Sequence, residues 1–305
     1  MNFRILVQLL VLGMIWGSSF LFQRITVPAL GVGTTASVRI LLAALVLGVA
    51  LALMRRPLHW RSRWRDYVVV GTLNSGIPIV LFAFAAYSLP AGYLAVLNAT
   101  VPLFTVLIGW VGGPRPSNSK LTGVFVGILG VAALARFGTL TPSWTTAAAF
   151  AAVLLASVLY AVGARAVRAR FADADPLTVA CGTMTGALLP LLPVALYTMP
   201  AQVPTVSVSI ALLALGVICT GLAYAVFYQL IREAGSERAV TVTFLVPLFA
   251  LLWGALFLGE AITWASAAGC ALVLFAVALI FERVPGLRPR AIVAPLPQLC
   301  VQGRR

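Results

Sequence analysis

The chain has 305 residues, of which 62% are hydrophobic and only 9% charged, with a formal net charge of +14. Soluble domains carry about a quarter of their residues as charges, so this chain cannot cover a water-facing surface; soluble, disulfide-stapled, coiled-coil and nucleic-acid-binding classes are excluded. Residues 67–114 and 176–231 hold no Asp, Glu, Lys or Arg, and since one membrane helix needs about 20 apolar residues, each run reads as two spans back to back.

In chain order the apolar runs predict an all-α polytopic membrane protein with ten transmembrane helices, near 5–23, 34–54, 67–88, 91–112, 119–136, 145–165, 177–198, 207–231, 238–258 and 263–281. The first run lacks a small-x-small cleavage site after Gly17-Ser18-Ser19-Phe20 and reads as a retained helix. Connectors as short as Leu89-Pro90-Ala91-Gly92 predict neighbouring spans packed as antiparallel hairpins. With a cytoplasmic N-terminus, all of the 21 basic residues except Arg24, Arg39 and Arg136 fall on the cytoplasmic side. That bias, with an even number of spans, predicts both termini in the cytoplasm. The Pro/Arg-rich tail 284–305 has no apolar periodicity and reads as disordered.

Sliding the chain on itself by 145 residues aligns Gly71 with Gly216, Gly76 with Gly221, Phe82 with Phe227 and the block Val101-Pro102-Leu103-Phe104 with Val246-Pro247-Leu248-Phe249. Two repeats follow, 1–140 and 141–283. Five spans per repeat is an odd number, so the second copy is inverted relative to the first, and such a plan places a central cavity at the repeat interface.

The candidate site residues come from polar and aromatic groups inside spans. Pro102 and Pro247 lack an amide hydrogen and free the carbonyls of Asn98 and Thr243. Freed carbonyls are tolerated where other polar groups or a wet cavity satisfy them, so Asn98 and Thr243 are read as cavity-facing; the alternative is that each repairs its own helix. Asn74, Pro78 and Phe82 recur every four residues, with Pro78 a third kink, as do Thr220, Tyr224 and Tyr228; Trp16 with Ser19, and Ser157 with Tyr160, sit three apart. Such spacings put the members on one helix face. The candidates for the substrate site are thus Trp16, Ser19, Asn74, Phe82, Asn98, Tyr160, Tyr224, Tyr228 and Thr243. Gly13/Gly17, Gly123/Gly127 and Gly182/Gly186 are close-packing pairs, within the bundle or at a dimer face; monomer and homodimer both remain open. Arg39 reads either as snorkelling to headgroups or as a gate or carboxylate contact.

No acid or histidine is predicted at mid-membrane, and Cys181, Cys219, Cys270 and Cys300 lack metal-ligand spacing. No catalytic residue, metal or cofactor is expected, and an enzyme is disfavoured for want of a buried base. Proton coupling through a mid-membrane carboxylate is disfavoured as well.

Trp16-Gly17-Ser18-Ser19-Phe20, Arg39, Val101-Pro102-Leu103-Phe104 and Val246-Pro247 running to Leu258-Gly259-Glu260 resemble, as an ordered set over residues 5–282, the EamA-type family of the drug/metabolite transporter superfamily. The resemblance implies two inverted five-helix repeats, substrate held among the first, third, fourth, sixth, eighth and ninth helices, and export of small metabolites, amino acids or drugs. Length and aromatics resemble the YddG-type aromatic amino-acid exporters. Small four-helix relatives exchange cations through a first-helix glutamate that is missing here, which favours neutral or zwitterionic cargo. The expected function is amino-acid or metabolite export by alternating access, with multidrug efflux as the alternative and a lipid-linked enzyme or flippase behind both.

Overall fold

A computed structural model describes residues 3–281, apart from 112, 138–139, 201–202, 235–238 and 240 and the side chains of 137, 228, 231 and 232. The tail 284–305 and Tyr228 therefore lie outside the described residues. Seven helices are long and apolar enough to cross a membrane: α1 Phe3–Leu53, α2 Trp60–Ala85, α3 Ala91–Trp110, α4 Asn118–Arg136, α5 Trp144–Arg170, α6 Pro176–Tyr197 and α7 Val206–Phe227. Two shorter apolar helices follow, α8 Val242–Leu258 and α9 Trp264–Ile280. No strand occurs among the described residues. The protein is an all-α, multi-pass membrane protein.

Helix α1 is too long to be straight. Its 51 residues break at Gly31 (φ 78°, ψ 167°), a conformation for which a side chain is ill suited. Ser18 Oγ lies 3.5 Å from Cys219 Sγ while Arg39 Nε donates to Thr220 at 2.9 Å, so the legs 3–30 and 32–53 return alongside one another against the same stretch of α7. The region between the first two expected spans is helical up to Gly31; there Thr26 and Val27 are fully buried and Thr26 Oγ1 donates to the Phe22 carbonyl.

Several ends are set by local chemistry. Ser143 and Asp175 accept from the amides of Thr146 and Thr178 as N-caps of α5 and α6, and Thr263 with Ser266 forms a capping box on α9. Gly259 (φ 65°) ends α8 in the left-handed conformation. Wide turns interrupt α2 at Thr72–Gly76 and α7 at Ala214–Leu222, stretches that correspond under the 145-residue offset.

One expectation of the packing is corrected. The short 86–90 connector does not create a packed hairpin: Ile77–Ala85 leans mainly on α5, whereas Ala91–Asn98 leans mainly on α8. Pro90 with an extended ψ of 156° splays the two apart. The close-packing glycines all face helices of the same chain. A Cβ on Gly17 would lie 2.6 Å from the Phe249 Cβ, on Gly123 2.8 Å from the Ala276 carbonyl, and on Gly186 2.3 Å from the Tyr67 carbonyl. The main core cluster joins α1, α2, α3, α5, α8 and α9 around Phe20, Phe82, Leu94, Val153, Val246 and Val273.

Candidate functional site

A cavity of about 680 Å³ occupies the middle of the bundle, within the range of small-molecule sites. Of the nine candidates, eight line it: Trp16, Ser19, Asn74, Phe82, Asn98, Tyr160, Tyr224 and Thr243. Tyr228 cannot be placed. Pro102 and Pro247 also line it, whereas Pro78 is buried outside the lining. The reason is the wide turn at 72–76: it adds a residue to the turn and shifts the face, so Ile79 follows Asn74 into the cavity where a regular helix would have placed Pro78. The same five-residue step carries Cys219 to Tyr224 in α7, and Thr220 turns away to bond Arg39.

Aromatic rings form two walls. Phe20, Phe82 and Tyr160 make a chain with centroids 5.9 and 6.1 Å apart. Opposite it, Trp16 contacts Tyr224 at 6.1 Å and Phe227 at 5.1 Å. Gly163 leaves room for Asn74, since a Cβ there would sit 2.6 Å from Asn74 Oδ1. The interrupted stretch of α3 supplies Asn98 between Ala91–Asn98 and Val101–Trp110. The carbonyl that draws side-chain donors there is that of Leu97, one residue before the expected one, with Thr100 Oγ1 at 2.6 Å and Ser157 Oγ at 3.3 Å. Ser19 Oγ repairs its own helix, donating to the Trp16 carbonyl at 2.7 Å.

Two lining groups were not singled out as site residues in the sequence. Gln23 is 2% exposed, and its Oε1 has no hydrogen-bond partner. Its spacing of four from Ser19 was the available signal. Arg39, ambiguous from sequence, lines the cavity beside Tyr160, Tyr224 and Cys219.

The cavity is open at one end and sealed at the other. Thr105, Lys120, Arg168, Ile280 and Phe281 line its mouth. At the opposite end Arg24 pairs with Glu260 at 3.3 Å and donates to the Ala86 carbonyl at 2.7 Å, while both Glu260 oxygens accept from the Ala91 amide, at 3.1 and 2.9 Å. These contacts join α1, α3, the turn after α2 and the loop after α8. A second apolar hollow of about 640 Å³ among α3, α4 and α5 carries no charged lining residue and opens where Ile128 is 55% exposed. The central cavity is therefore the candidate site.

Among the described residues no group of His, Cys, Asp or Glu is placed to hold a metal ion.

The EamA-like transporter family model matches residues 4–136 and 147–282. The chain belongs to the EamA-like transporter family. Several relatives match over nearly their whole length. Protein PecM of Dickeya dadantii is 28% identical over 93% of this chain and 94% of its own. The "Probable terminal-alkyne amino-acid exporter" of Streptantibioticus cattleyicolor is 30% identical over 90% and 93%. The uncharacterized inner membrane transporter YedA of Escherichia coli K12 is 25% identical over 95% and 94%. A solved structure with 20% sequence identity gives a TM-score of 0.66 over 92% of this chain and 96% of that one, so the two chains share a fold. Family and relatives point to a transporter and not an enzyme.

Proposed function

We propose that the chain is an inner-membrane exporter of amino acids, aromatic ones among them, or of related small metabolites. It works by alternating access of two inverted five-helix repeats, and both termini are cytoplasmic. The observation that carries this reading is the symmetry of the cavity wall. Asn74 and Cys219, Ile79 and Tyr224, Phe82 and Phe227, Asn98 and Thr243, Val101 and Val246, and Pro102 and Pro247 all line it, each pair 145 residues apart. Two copies contributing the same positions to one chamber are what a two-fold axis in the membrane plane requires. One stitched end and one open end supports a single-sided state whose mirror image the repeats could also adopt. The positive-inside bias supports a mouth on the cytoplasmic side, the side from which an exporter loads. A relative of 30% identity is named as an amino-acid exporter, and the ring-lined walls suit aromatic side chains.

The test is flux by purified protein in liposomes with a panel of labelled amino acids and lipophilic cations. Amino-acid flux supports the reading; flux of cations alone sinks it. Multidrug cation efflux gains no support from the wall: it carries Arg39, Lys120 and Arg168 and no carboxylate among the described residues.

A further inference from the structure

Three positive side chains line the chamber, and each of the described acids is engaged elsewhere: Asp66 with Arg170, Asp173 with Arg63, Asp175 with Arg56, Glu233 with Arg4 and Glu260 with Arg24. Lys120 and Arg168 stand at the mouth, near the ends of α4 and α5 that headgroups reach. Arg39 is different. It is the one charged lining residue away from the mouth, half-buried among Tyr160, Tyr224 and Cys219. A guanidinium stays protonated in proteins, and a charge at membrane depth without a partner is costly.

What holds Arg39 is one neutral oxygen. Thr220 Oγ1 donates its proton to the Leu215 carbonyl at 2.8 Å, which leaves the oxygen as an acceptor for Arg39 Nε at 2.9 Å. The wide turn of α7 makes this possible, since the Thr220 hydroxyl reaches five residues back along it. The bond fixes one edge of the guanidinium plane. Among the described residues neither terminal nitrogen has a hydrogen-bond partner. A headgroup is not what Arg39 meets, so snorkelling is not its role. The remaining need is an oxyanion that accepts two parallel N–H bonds, the geometry a carboxylate supplies.

We propose that Arg39, steadied by Thr220, anchors the carboxylate of the cargo, and that Lys120 and Arg168 draw the anion into the mouth. The inference rests on the reading of the chain as a small-molecule exporter and narrows its cargo to molecules with a free carboxylate. One positive charge at depth matches one carboxylate, whereas a phosphate dianion would carry uncompensated charge into the chamber. The chamber offers a carboxylate one cation at depth and offers an ammonium no carboxylate among the described lining residues, so loss of the carboxylate weakens binding more than loss of the ammonium.

The test is calorimetric binding to the purified full chain in detergent, with phenylalanine, N-acetylphenylalanine and phenylalaninamide as probes. The two acids bind, and the amide binds at least about tenfold more weakly, as a site built for a charged hydrogen bond rejects an analogue lacking it. Arg39→Gln brings acid and amide to within about twofold, and Arg39→Lys retains part of the preference. An amide that binds wild type as well as the acid does overturns this inference and leaves amino-acid export standing, as does an Arg39→Gln variant that keeps the preference. Binding of N-acetylphenylalanine without phenylalanine does the reverse, removing the amino-acid reading while the carboxylate anchor stands. Binding of none of the three sinks both.

Discussion

Arg24 Nε and Glu260 Oε1 lie 3.3 Å apart, two partly buried charges from opposite halves of the sequence, and their partners make them more than a surface pair. Glu260 also caps the start of α3 through the Ala91 amide, and Arg24 also holds the Ala86 carbonyl. Burial pushes the Glu260 carboxyl above its ordinary value, against the opposing pull of Arg24 and of the Ala91 and Gly92 amides. The sign follows. A group raised in the folded state costs stability when ionised, so stability contributed through Glu260 grows as pH falls from neutral through that raised value. Glu260→Ala leaves a buried amide without its acceptor and is expected to cost about 1–3 kcal/mol. Glu260→Gln keeps an acceptor and sheds the buried charge, so it costs far less and flattens the pH dependence. Thermal unfolding of the three proteins between pH 5 and 8 decides it; equal losses for Ala and Gln would remove Glu260 from the seal.

Asn98 and Thr243 lie 145 residues apart in the sequence and line the same chamber. Asn98 is not needed to hold α3 together, because Thr100 and Ser157 already serve the interruption there. Asn98→Leu and Thr243→Val are each expected to lower amino-acid flux about tenfold, the loss of one polar contact of about 1.4 kcal/mol, with unchanged unfolding temperature. Normal flux in both variants would remove them from the binding wall.

Much of the site was legible because membrane helices make polar residues conspicuous: Asn74, Asn98 and Thr243 stand out in apolar runs, and all three line the cavity. What sequence periodicity missed has one physical cause. A wide turn changes the phase of a helix without changing its composition, so the four-residue stripes through Pro78 in α2 and Thr220 in α7 are each off by one, and Ile79 and Cys219 take those places. Gln23 and Arg39 escaped for another reason: long polar side chains reach some distance from their helix, and only the fold says whether they meet headgroups or a chamber. The break between the first two expected spans was legible, but its narrowing to Gly31, with helix on both sides, was not.

At the mouth end, Asp175 caps α6 and pairs with Arg56. Burial raises its carboxyl, but the hydrogen bonds from Arg56 and Thr178 outweigh that and hold it below its ordinary value. A lowered carboxylate contributes stability above the unfolded value and loses it as pH falls through the folded one. Asp175→Ala is therefore expected to cost about 1–2 kcal/mol at neutral pH, and the gap to wild type should close below about pH 4. A gap that persists unchanged at pH 3 would show that the cap contributes through packing and not through charge.

Two glycines separate backbone contact from side-chain contact. A Cβ on Gly71 would sit 2.1 Å from the Thr183 carbonyl oxygen and 3.0 Å from the Ala187 amide, both backbone atoms of α6. On Gly92 it would meet the Leu251 Cδ2 at 2.3 Å, the far end of a flexible side chain. A leucine tip can rotate away, but a helix backbone can move only as a whole. Gly71→Ala is thus expected to cost about 2–3 kcal/mol or to prevent folding, and Gly92→Ala less than about 1 kcal/mol. The measurement is the yield and unfolding temperature of each purified variant. Because Gly71 adjoins the wide turn that brings Asn74 to the wall, a folded Gly71→Ala protein should also lose flux, while Gly92→Ala should transport normally. Equal behaviour of the two variants would mean that the α2–α6 contact yields as readily as a rotamer, and that the chamber wall is not fixed by backbone packing.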